Sequence, residues 1–361
     1  MAKRTMGSRV APKRLDIRDV ALCAKVSIAT VSRTINNVPT VDKLLAKRVW
    51  DAVEKLNYYP NTHARSLVSG HSRLLGLLIS EITNPFFPEL IKGFEDVALE
   101  NGYDVMIGST NYDVERMDAC VRRLVERNVE GVAVMTFGIE TPLLDRLAAR
   151  GIPLVFVDTA PERPNVDSLE INYHEGIRQA VQHLAALTHR EIAFISGPLQ
   201  QYSCQLRKAA FLDAMAEIGV TPGKHLLIEG DHTLEGGMRA AKELLQQATF
   251  PTAVMCSNDM TAIGVMRAFG RAELRIPQDV SVVGFDDIHL AEFVSPPLTT
   301  VNMSRVDIAR AAFDALRNSV EKGSSAKKRS RIPITTKLTV RQSTSYPKAV
   351  LEQMELRASC R

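Results

Sequence analysis

The chain of 361 residues lacks several features that mark common classes of protein. Its five cysteines are scattered and form no Cys-x-x-Cys pair, which argues against a zinc site or a disulfide framework and favours a reducing compartment. No apolar run approaches the roughly 18 residues that a membrane helix needs, and the basic N-terminus lacks the apolar stretch of a secretory signal. We therefore expect a cytoplasmic protein with no membrane partner.

The sequence also lacks the motifs of common enzymes. It contains no Gly-x-Ser-x-Gly and no Gly-x-x-x-x-Gly-Lys-Ser/Thr, and its eight histidines form no His-Glu-x-x-His pattern. Asp286 and Asp287 are adjacent, but neighbouring side chains at a strand end point apart, which argues against a catalytic pair. The sequence predicts no enzyme, no metal site and no cofactor.

Charge is distributed unevenly along the chain. Residues 1–73 contain 14 Lys and Arg against 5 Asp and Glu, a net charge of +9, whereas residues 74–361 contain 31 against 36, a net charge of −5. A basic head on a slightly acidic body indicates nucleic acid as a partner at one end. On charge alone, a basic tail that is merely solvated is an equal alternative.

Beyond residue 73, short apolar runs alternate with stretches of helix length. This alternation is typical of a parallel sheet covered by helices on both faces. Because the pattern is too long for one sheet, we expect two similar halves that divide near Ile171, with a ligand cleft beyond the carboxyl ends of their strands. The expected strands are Leu74–Ser80, Tyr103–Ser109, Gly131–Thr136, Leu154–Asp158, Ile192–Ser196, Leu226–Glu229, Ala253–Ser257 and Val280–Phe285.

The basic head has the spacing of a helix-turn-helix. Ile17–Ala24 is the first predicted helix, and Ile28–Asn36 is the second, which Ser27 caps after a three-residue turn. Asp42 caps a third helix. Three short helices with this turn are the arrangement that places the second helix in the major groove of DNA. A generic three-helix core with surface arginines is the alternative.

The second predicted helix carries side chains suited to double-stranded DNA. Ile28 and Ala29 lie at its N-terminus and are expected to face base edges. Arg33, one turn later, is the side chain best suited to guanine O6 and N7. Thr30 and Ser32 can hydrogen-bond to phosphates. These five residues are the expected DNA contacts of the head.

Several longer runs occur in a particular order along the chain. They are DIRDVALCAKVSIATVSRTINN, RVWDAVEKLNYYPNTHARSL, NPFFPELIKGFEDVALENGYDV, HREIAFISGP, SNDMTAIGVMRA, IPQDVSVVGFDDI and PPLTTV. In order and spacing they resemble the LacI family of bacterial transcription regulators over about residues 16–345. The resemblance implies a dimeric DNA-binding repressor whose larger domain resembles periplasmic sugar-binding proteins and binds a small effector that controls operator affinity.

The fold class expected from the resemblance is an all-α helix-turn-helix head joined to an α/β periplasmic-binding-protein-like core of two parallel-sheet subdomains. The expected divisions are a disordered basic tail (1–15), the helix-turn-helix domain (16–60), a hinge helix (61–72), the effector-binding and dimerisation domain (73–345) and a C-terminal tail (346–361). Within the core, we expect one subdomain at about 73–171 and 301–331 and the other at about 172–300 and 332–345. The tail has too few apolar residues for a sustained heptad pattern, which favours a homodimer over a tetramer.

Further DNA contacts follow from the resemblance. Relatives usually have glycine where Lys25 lies in the turn. A positive φ there would cost a lysine on the order of 1 kcal/mol, which a phosphate contact can recover.

The hinge is too short for a stable isolated helix. The resemblance implies that it forms when two subunits meet on DNA, that Asn61 and Arg65 contact DNA, and that Leu67 wedges into the minor groove. By itself, Leu67 is as readily explained as a linker residue.

The resemblance also places a set of side chains in the effector cleft. They are Phe86, Phe87, Asp158, Ser203, Arg207, His232, Asn258 and Asp286. Taken singly, each has an ordinary structural explanation as well. Arginine and carboxylates beside aromatic rings suit a polyhydroxylated ligand, so we expect a sugar or a sugar derivative. Relatives often have an aromatic residue at His232, and a purine-sensing relative has arginine at Gln201, which makes a purine effector less expected.

A second class of function stays open at this point. A solute-binding protein or an enzyme on the same α/β scaffold would explain the core but leave the basic helical head without a role. The first needs a secretory signal, and the second needs a nucleophile, a base or a cofactor loop, and neither is evident in the sequence.

Overall fold

The computed structural model describes residues 15–36, 38–59, 70–135, 141–158, 166–322 and 331–359. The chain divides into two compact units, residues 1–72 and residues 73–361, here called the head and the core. The predicted hinge contacts Asn61, Arg65 and Leu67 lie outside the described residues. Within the described residues, no helix is both long and apolar enough to cross a membrane.

The described residues of the head form three helices, each begun by a capping side chain. Asp16 and Asp42 each accept hydrogen bonds from two backbone N–H groups in the first turn of their helices, and Ser27 accepts one, from the N–H of Thr30. These bonds satisfy donors that have no partner within the helix. The helices are α1 (Ile17–Ala24), α2 (Ile28–Ile35) and α3 (Lys43–Lys55).

The head has a small core of its own. Val20, Val31 and Val49 are fully buried, one from each helix, and small alanines on α1 and α3 are buried with them. The turn between α1 and α2 contains Lys25 at φ 54°, so the positive φ considered from the sequence is present. Arg48 donates to the carbonyls of Ala24 and Lys25 at 2.6 and 2.9 Å, which fixes the turn on α3.

The core consists of two sets of parallel strands joined through one shared strand. The first set has the order β2-β1-β3-β4-β5 and the second β7-β6-β8-β9-β10. The strands are β1 (Leu74–Ile79), β2 (Asp104–Ser109), β3 (Gly131–Met135), β4 (Leu154–Val157), β5 (Val166–Asn172), β6 (Ile192–Ser196), β7 (Leu227–Glu229), β8 (Ala253–Cys256), β9 (Ser281–Asp286), β10 (Thr299–Met303) and β11 (Arg331–Thr339). The predicted fold class is confirmed.

Strand β11 joins the two sets. Its first part, from Arg331 to Thr335, pairs in parallel with β5, and its second part, from Thr336 to Thr339, pairs antiparallel with β10. The sequence patterns do not predict β5, β10 or β11. In β11, Pro333 removes a backbone donor and argues against a strand within a sheet, although the pairing with β5 accommodates it.

Helices lie between the strands. They are α4 (Phe86–Glu100), α5 (Val114–Glu126), α6 (Thr141–Ala148), α7 (Tyr173–Ala186), α8 (Tyr202–Glu217), α9 (Leu234–Leu245), α10 (Asp259–Arg271), α11 (Leu290–Phe293), α12 (Arg305–Lys322) and α13 (Lys348–Ser359). Helix α12 follows β10 of the second set but packs on α4 and on β3, β4 and β5 of the first. The first set and its helices are called the first half below, and the second set and its helices the second half. The C-terminal segment, expected as a tail, contains α13.

Candidate functional site

The exposed face of α2 carries the side chains that were predicted to contact DNA. Ile28, Ala29 and Arg33 are exposed, while Thr30 and Ser32 are partly exposed. Ile28 is nearly half exposed, so its apolar side chain is available to a partner. Thr30 hydrogen-bonds to the hydroxyl of Ser27 at 2.9 Å, so part of its polar capacity serves the cap. Lys25 is also exposed, at the turn before α2.

A cavity that opens to solvent lies where the two halves of the core face each other. All eight residues predicted for the effector cleft line it, from elements of both halves. Each lies after a strand or in the first turns of the helix that follows, where parallel sheets gather ligands. The eight are Phe86, Phe87, Asp158, Ser203, Arg207, His232, Asn258 and Asp286.

Arg207 and Asp286 form the polar centre of the cavity. Both are about 5% exposed, and their closest charged atoms are 3.8 Å apart. The Arg207 guanidinium lies over the rings of Tyr173 and Phe285 and donates to the Ser257 carbonyl at 2.5 Å, whereas its buried Nε has no hydrogen-bond partner. A buried donor without a partner costs free energy. A polar ligand that accepts a hydrogen bond from the Arg207 Nε–H would remove this cost.

Burial changes the protonation of this pair. Burial lowers the pKa of Arg207, but the facing Tyr173 and Asp286 more than offset it, so the guanidinium stays charged. Burial raises the pKa of Asp286 to about 7, against the opposing effect of the guanidinium groups of Arg207 and Arg305. At neutral pH the Asp286 carboxyl is therefore partly protonated and can both donate and accept hydrogen bonds.

A second carboxyl group lies on the opposite wall. Asp158, directly after β4, accepts a hydrogen bond of 2.5 Å from the Tyr173 hydroxyl. Burial raises the pKa of Asp158 to about 6, although the bond from Tyr173 and the charge of Arg207 lower it. Tyr173 thus links Asp158 and Arg207.

His232 lies at the cavity wall as a neutral imidazole. Burial lowers its pKa to about 3, and the charge of Arg207 contributes in the same direction. Its Nε2 is 2.9 Å from the Ser257 hydroxyl and 3.8 Å from the Cys204 sulfur, and its ring packs closely on Gly197. A side chain at residue 197 would overlap the ring, so Gly197 creates the space that His232 occupies.

Three of the eight predicted cleft residues have a left-handed backbone conformation. Asp158, His232 and Asp286 have φ values of 74°, 64° and 111°. Residues other than glycine reach this region at a cost of order 1–3 kcal/mol, and such strain concentrates at binding sites. By contrast, Asn258 accepts from the N–H of Thr261 as the cap of α10 and donates to the His232 carbonyl, so its amide serves mainly the local structure.

Sequence reasoning missed several residues of the cavity. The most important is Tyr173, which begins α7 directly after β5. The apolar positions of Val166–Asn172 alternate only in part, so the sequence pattern predicts neither this strand nor a role for the residue that follows it. Other missed lining residues are Asn84, Leu90, Tyr112, Met135, Val157, Met303 and Ile308.

No group of three or more His, Cys, Asp or Glu side chains suited to a metal ion occurs among the residues that the structure describes. The polar groups that line the cavity include an arginine, two carboxyls, an imidazole, a serine and the Tyr173 hydroxyl. This set can bind a small polar molecule through hydrogen bonds.

Comparison with known proteins identifies the same two regions. Residues 16–61 match the bacterial regulatory proteins of the lacI family, and residues 181–344 match the periplasmic binding protein-like domain. The HTH-type transcriptional repressor PurR of Photobacterium profundum is 36% identical over 306 residues, which cover 84% of this chain and 92% of the relative.

Solved structures with the same fold include two regulators. The lac repressor dimer bound to operator and the anti-inducer ONPF has a TM-score of 0.81 at 29% identity and covers 92% of this chain and 100% of its own. A complex of the transcriptional regulator CelR with cellobiose has a TM-score of 0.69 at 28% identity and covers 91% of this chain and 100% of its own. The chain belongs to the lacI family of bacterial regulatory proteins and is a DNA-binding transcriptional regulator, not an enzyme.

Proposed function

We propose that the protein is a cytoplasmic repressor that binds a pseudo-palindromic operator as a homodimer and changes its operator affinity when a small, sugar-like effector occupies the cavity of the core. The observation that carries this proposal is the cavity itself, which brings Arg207, Asp286 and Asp158 together from both halves. A ligand held by both halves favours one arrangement of them, and it shifts the protein only by its different affinity for the two arrangements.

In the head, the exposed face of α2 is the proposed reading surface. Ile28 and Ala29 supply apolar contacts suited to thymine methyl groups, and Arg33 supplies donors suited to guanine. Lys25 and the hydroxyls of Thr30 and Ser32 are assigned to phosphates.

For the hinge, we propose that Asn61 and Arg65 contact DNA and that Leu67 kinks it. Circular-permutation gel shifts of Leu67→Ala test the last point, since equal bending by both proteins would make Leu67 a linker residue.

A sugar-like effector fits the chemistry of the polar pair. Arg207 offers donors and Asp286 offers a carboxyl group 3.8 Å away. A hydroxyl group can accept from the first and donate to the second, so adjacent hydroxyls of one ring satisfy both groups. Phe86 and Phe87 lie edge to face with centroids 5.5 Å apart and present aromatic surface to an apolar ring face. The cellobiose complex of CelR is in keeping with this class.

The PurR repressors among the relatives make a nucleobase the competing effector class. Gln201, where a purine-sensing relative has arginine, stands at the N-cap position of α8 without a side-chain capping bond and is not among the residues that line the cavity. A nucleobase would therefore depend on Arg207 and Asp286 without a further arginine at this end of the site. The screen described next distinguishes a sugar-like effector from a nucleobase.

A thermal-shift screen against sugars, sugar acids and nucleobases tests the proposal. Ligand at 100 times its Kd adds about 2.7 kcal/mol to the stability of the state that binds it. We expect a sugar or a sugar acid to raise the melting temperature of the wild type. The same ligand should leave the melting temperature of Arg207→Ala unchanged, whereas Lys242→Ala, an exposed change on α9, should respond as the wild type does. A shift with nucleobases alone would replace the sugar class, and a shift retained in Arg207→Ala would move the site away from the cavity.

A further inference from the structure

The cleft residue Asp286 is the last residue of β9, and both it and the loop that follows are held from the opposite half of the core. Asp286 and Asp287 have φ values of 111° and 57°, so their backbone leaves the geometry of a strand. Their carbonyl groups accept hydrogen bonds from Arg305, at 2.6 Å from Nη1 and 2.7 Å from Nη2. One guanidinium group therefore holds two successive carbonyls of a strained segment.

Glu89 completes this arrangement. Its Oε2 is 2.8 Å from Nε of Arg305, and its Oε1 accepts a hydrogen bond of 3.0 Å from the backbone N–H of His289. Glu89 lies one turn after Phe86 in α4, and Arg305 is the first residue of α12. Both helices pack on each other in the first half, while the loop belongs to the second half. Three of these four contacts thus join the two halves.

The Glu89–Arg305 ion pair is partly shielded from solvent, and its two charges are opposite. The Glu89 and Arg305 side chains are 29% and 16% exposed, so solvent competes little with their bonds. Arg305 also favours the ionised form of the Asp286 carboxyl, whereas Glu89 opposes it. Arg207 on α8 faces this carboxyl from the second half, and the buried carboxyl of Asp259 interacts with it as well. The pair therefore acts on the orientation and on the charge of the same residue.

We propose that Glu89 and Arg305 form a latch that binds residues 286–289, holds the two halves against each other, and orients Asp286 as a positioning pair for the effector site. The role of Asp286 in this statement rests on the proposed function. The contacts with the loop do not, because they lie entirely within the chain. A ligand that needs a wider cleft must break these contacts, and one that fits the cleft as it stands finds Asp286 already in place.

Hydrogen–deuterium exchange of the ligand-free, full-length protein tests the latch without knowledge of the effector. The amide of His289 reports on the contact with Glu89 directly. We expect Glu89→Ala and Arg305→Ala to exchange about tenfold faster at residues 286–293, and the double variant to exchange no faster than the more severe single one. The centre of β9 serves as the internal reference.

Arg317→Ala is the matched control. Arg317 lies on the same helix, donates to Asn101 at 2.8 Å and to Asp314 at 3.0 Å, and so joins α12 to the end of α4 without touching the loop. It should leave exchange at His289 unchanged. Arg305→Lys and Glu89→Gln provide milder changes if an alanine variant fails to fold, because lysine keeps the charge but lacks the planar fork of donors.

A charge swap separates a latch from an ordinary salt bridge. Glu89→Arg combined with Arg305→Glu can rebuild the ion pair between α4 and α12, but glutamate cannot donate to carbonyls and arginine cannot accept from the His289 N–H. We expect the swap to recover the melting temperature lost in the single variants and not the slow exchange at His289. Recovered slow exchange, unchanged exchange in the single variants, or equal acceleration in Arg317→Ala would each overturn the proposal. A failed effector screen would leave these results intact.

Discussion

The head and the core place their functional polar groups in opposite environments. In the head, Arg33 and Lys25 are exposed on a small scaffold whose three buried valines come from consecutive helices. In the core, Arg207 and Asp286 are almost fully buried and come from elements far apart in the chain. An exposed cation suits a polyanion that brings its own charge. Buried groups suit a small molecule, because a ligand that leaves one of them unpaired is rejected.

The largest expected effect is on the core. Arg207→Ala removes a buried cation from beside Asp286 and from between two rings, and breaking a buried pair costs about 3–5 kcal/mol. We expect a loss of about 3 kcal/mol in the free energy of unfolding, measured by urea denaturation of the full chain. Lys242→Ala, on the exposed face of α9, should change it by less than about 0.5 kcal/mol. Equal losses in both variants would show that the cavity is not electrostatically distinct from the surface.

A change in the head should affect DNA binding and not stability. Arg33→Ala should cost about 1–3 kcal/mol on the best operator and relax the preference at one base pair in each half-site. Selection of operators from random DNA measures this. Lys55→Ala removes the same charge from the end of α3 and should leave the selected sequence unchanged. If Arg33→Ala also selects the same sequence, base reading must rest on Ile28 and Ala29.

The buried imidazole of His232 gives the core a pH dependence. Burial lowers the pKa of His232 to about 3, below the usual value of about 6.5. Its contribution to stability is therefore complete above pH 6.5 and is lost as the pH falls. Asp286, with its pKa raised to about 7, acts in the opposite sense, since its contribution is complete below pH 4 and is lost as the pH rises to 7.

His232→Phe separates these two effects. Between pH 7 and pH 5 the wild type should lose about 2 kcal/mol relative to the variant, because each unit of pKa difference corresponds to about 1.4 kcal/mol. Parallel unfolding titrations of the two proteins give this difference directly. A difference that does not change with pH would show that His232 titrates normally and is not buried in the cleft.

The smallest effect is at the turn of the head. Lys25 has φ 54°, so Lys25→Gly should relieve a cost of about 1 kcal/mol and slow amide exchange of Val20 in α1. Lys47→Gly, in the middle of α3, should accelerate the same amide, because glycine costs about 1 kcal/mol in a helix interior. Acceleration by both changes would mean that the lysine contributes contacts that outweigh its backbone strain.

The same contrast explains which features could be predicted from the sequence. The helices of the head begin where Asp16, Ser27 and Asp42 stand, because capping is a local property that a few residues determine. The eight cleft residues could be placed because the resemblance to the LacI family identifies their positions, each at the end of a strand or near the start of the following helix. Tyr173 could not be placed because the apolar pattern of Val166–Asn172 does not predict β5. Strand β11 could not be predicted because Pro333, which lacks a backbone N–H, argues against a strand within a sheet. The contact between Glu89 and His289 joins residues 200 apart in the chain, and only the folded sheet order brings them together.

The most direct test of the account is an operator titration with and without the ligand found in the screen, on the wild type and on Asp286→Ala. Coupling between two sites typically amounts to 1–3 kcal/mol, or about 5–150-fold in affinity. The wild type should change its operator affinity by a factor in this range when the ligand is added. Asp286→Ala should show one affinity under both conditions: the ligand-free wild-type affinity if the ligand is an inducer, and a weak affinity throughout if it is a corepressor. An Asp286→Ala protein that responds to the ligand as the wild type does would contradict the assignment of the cavity as the effector site.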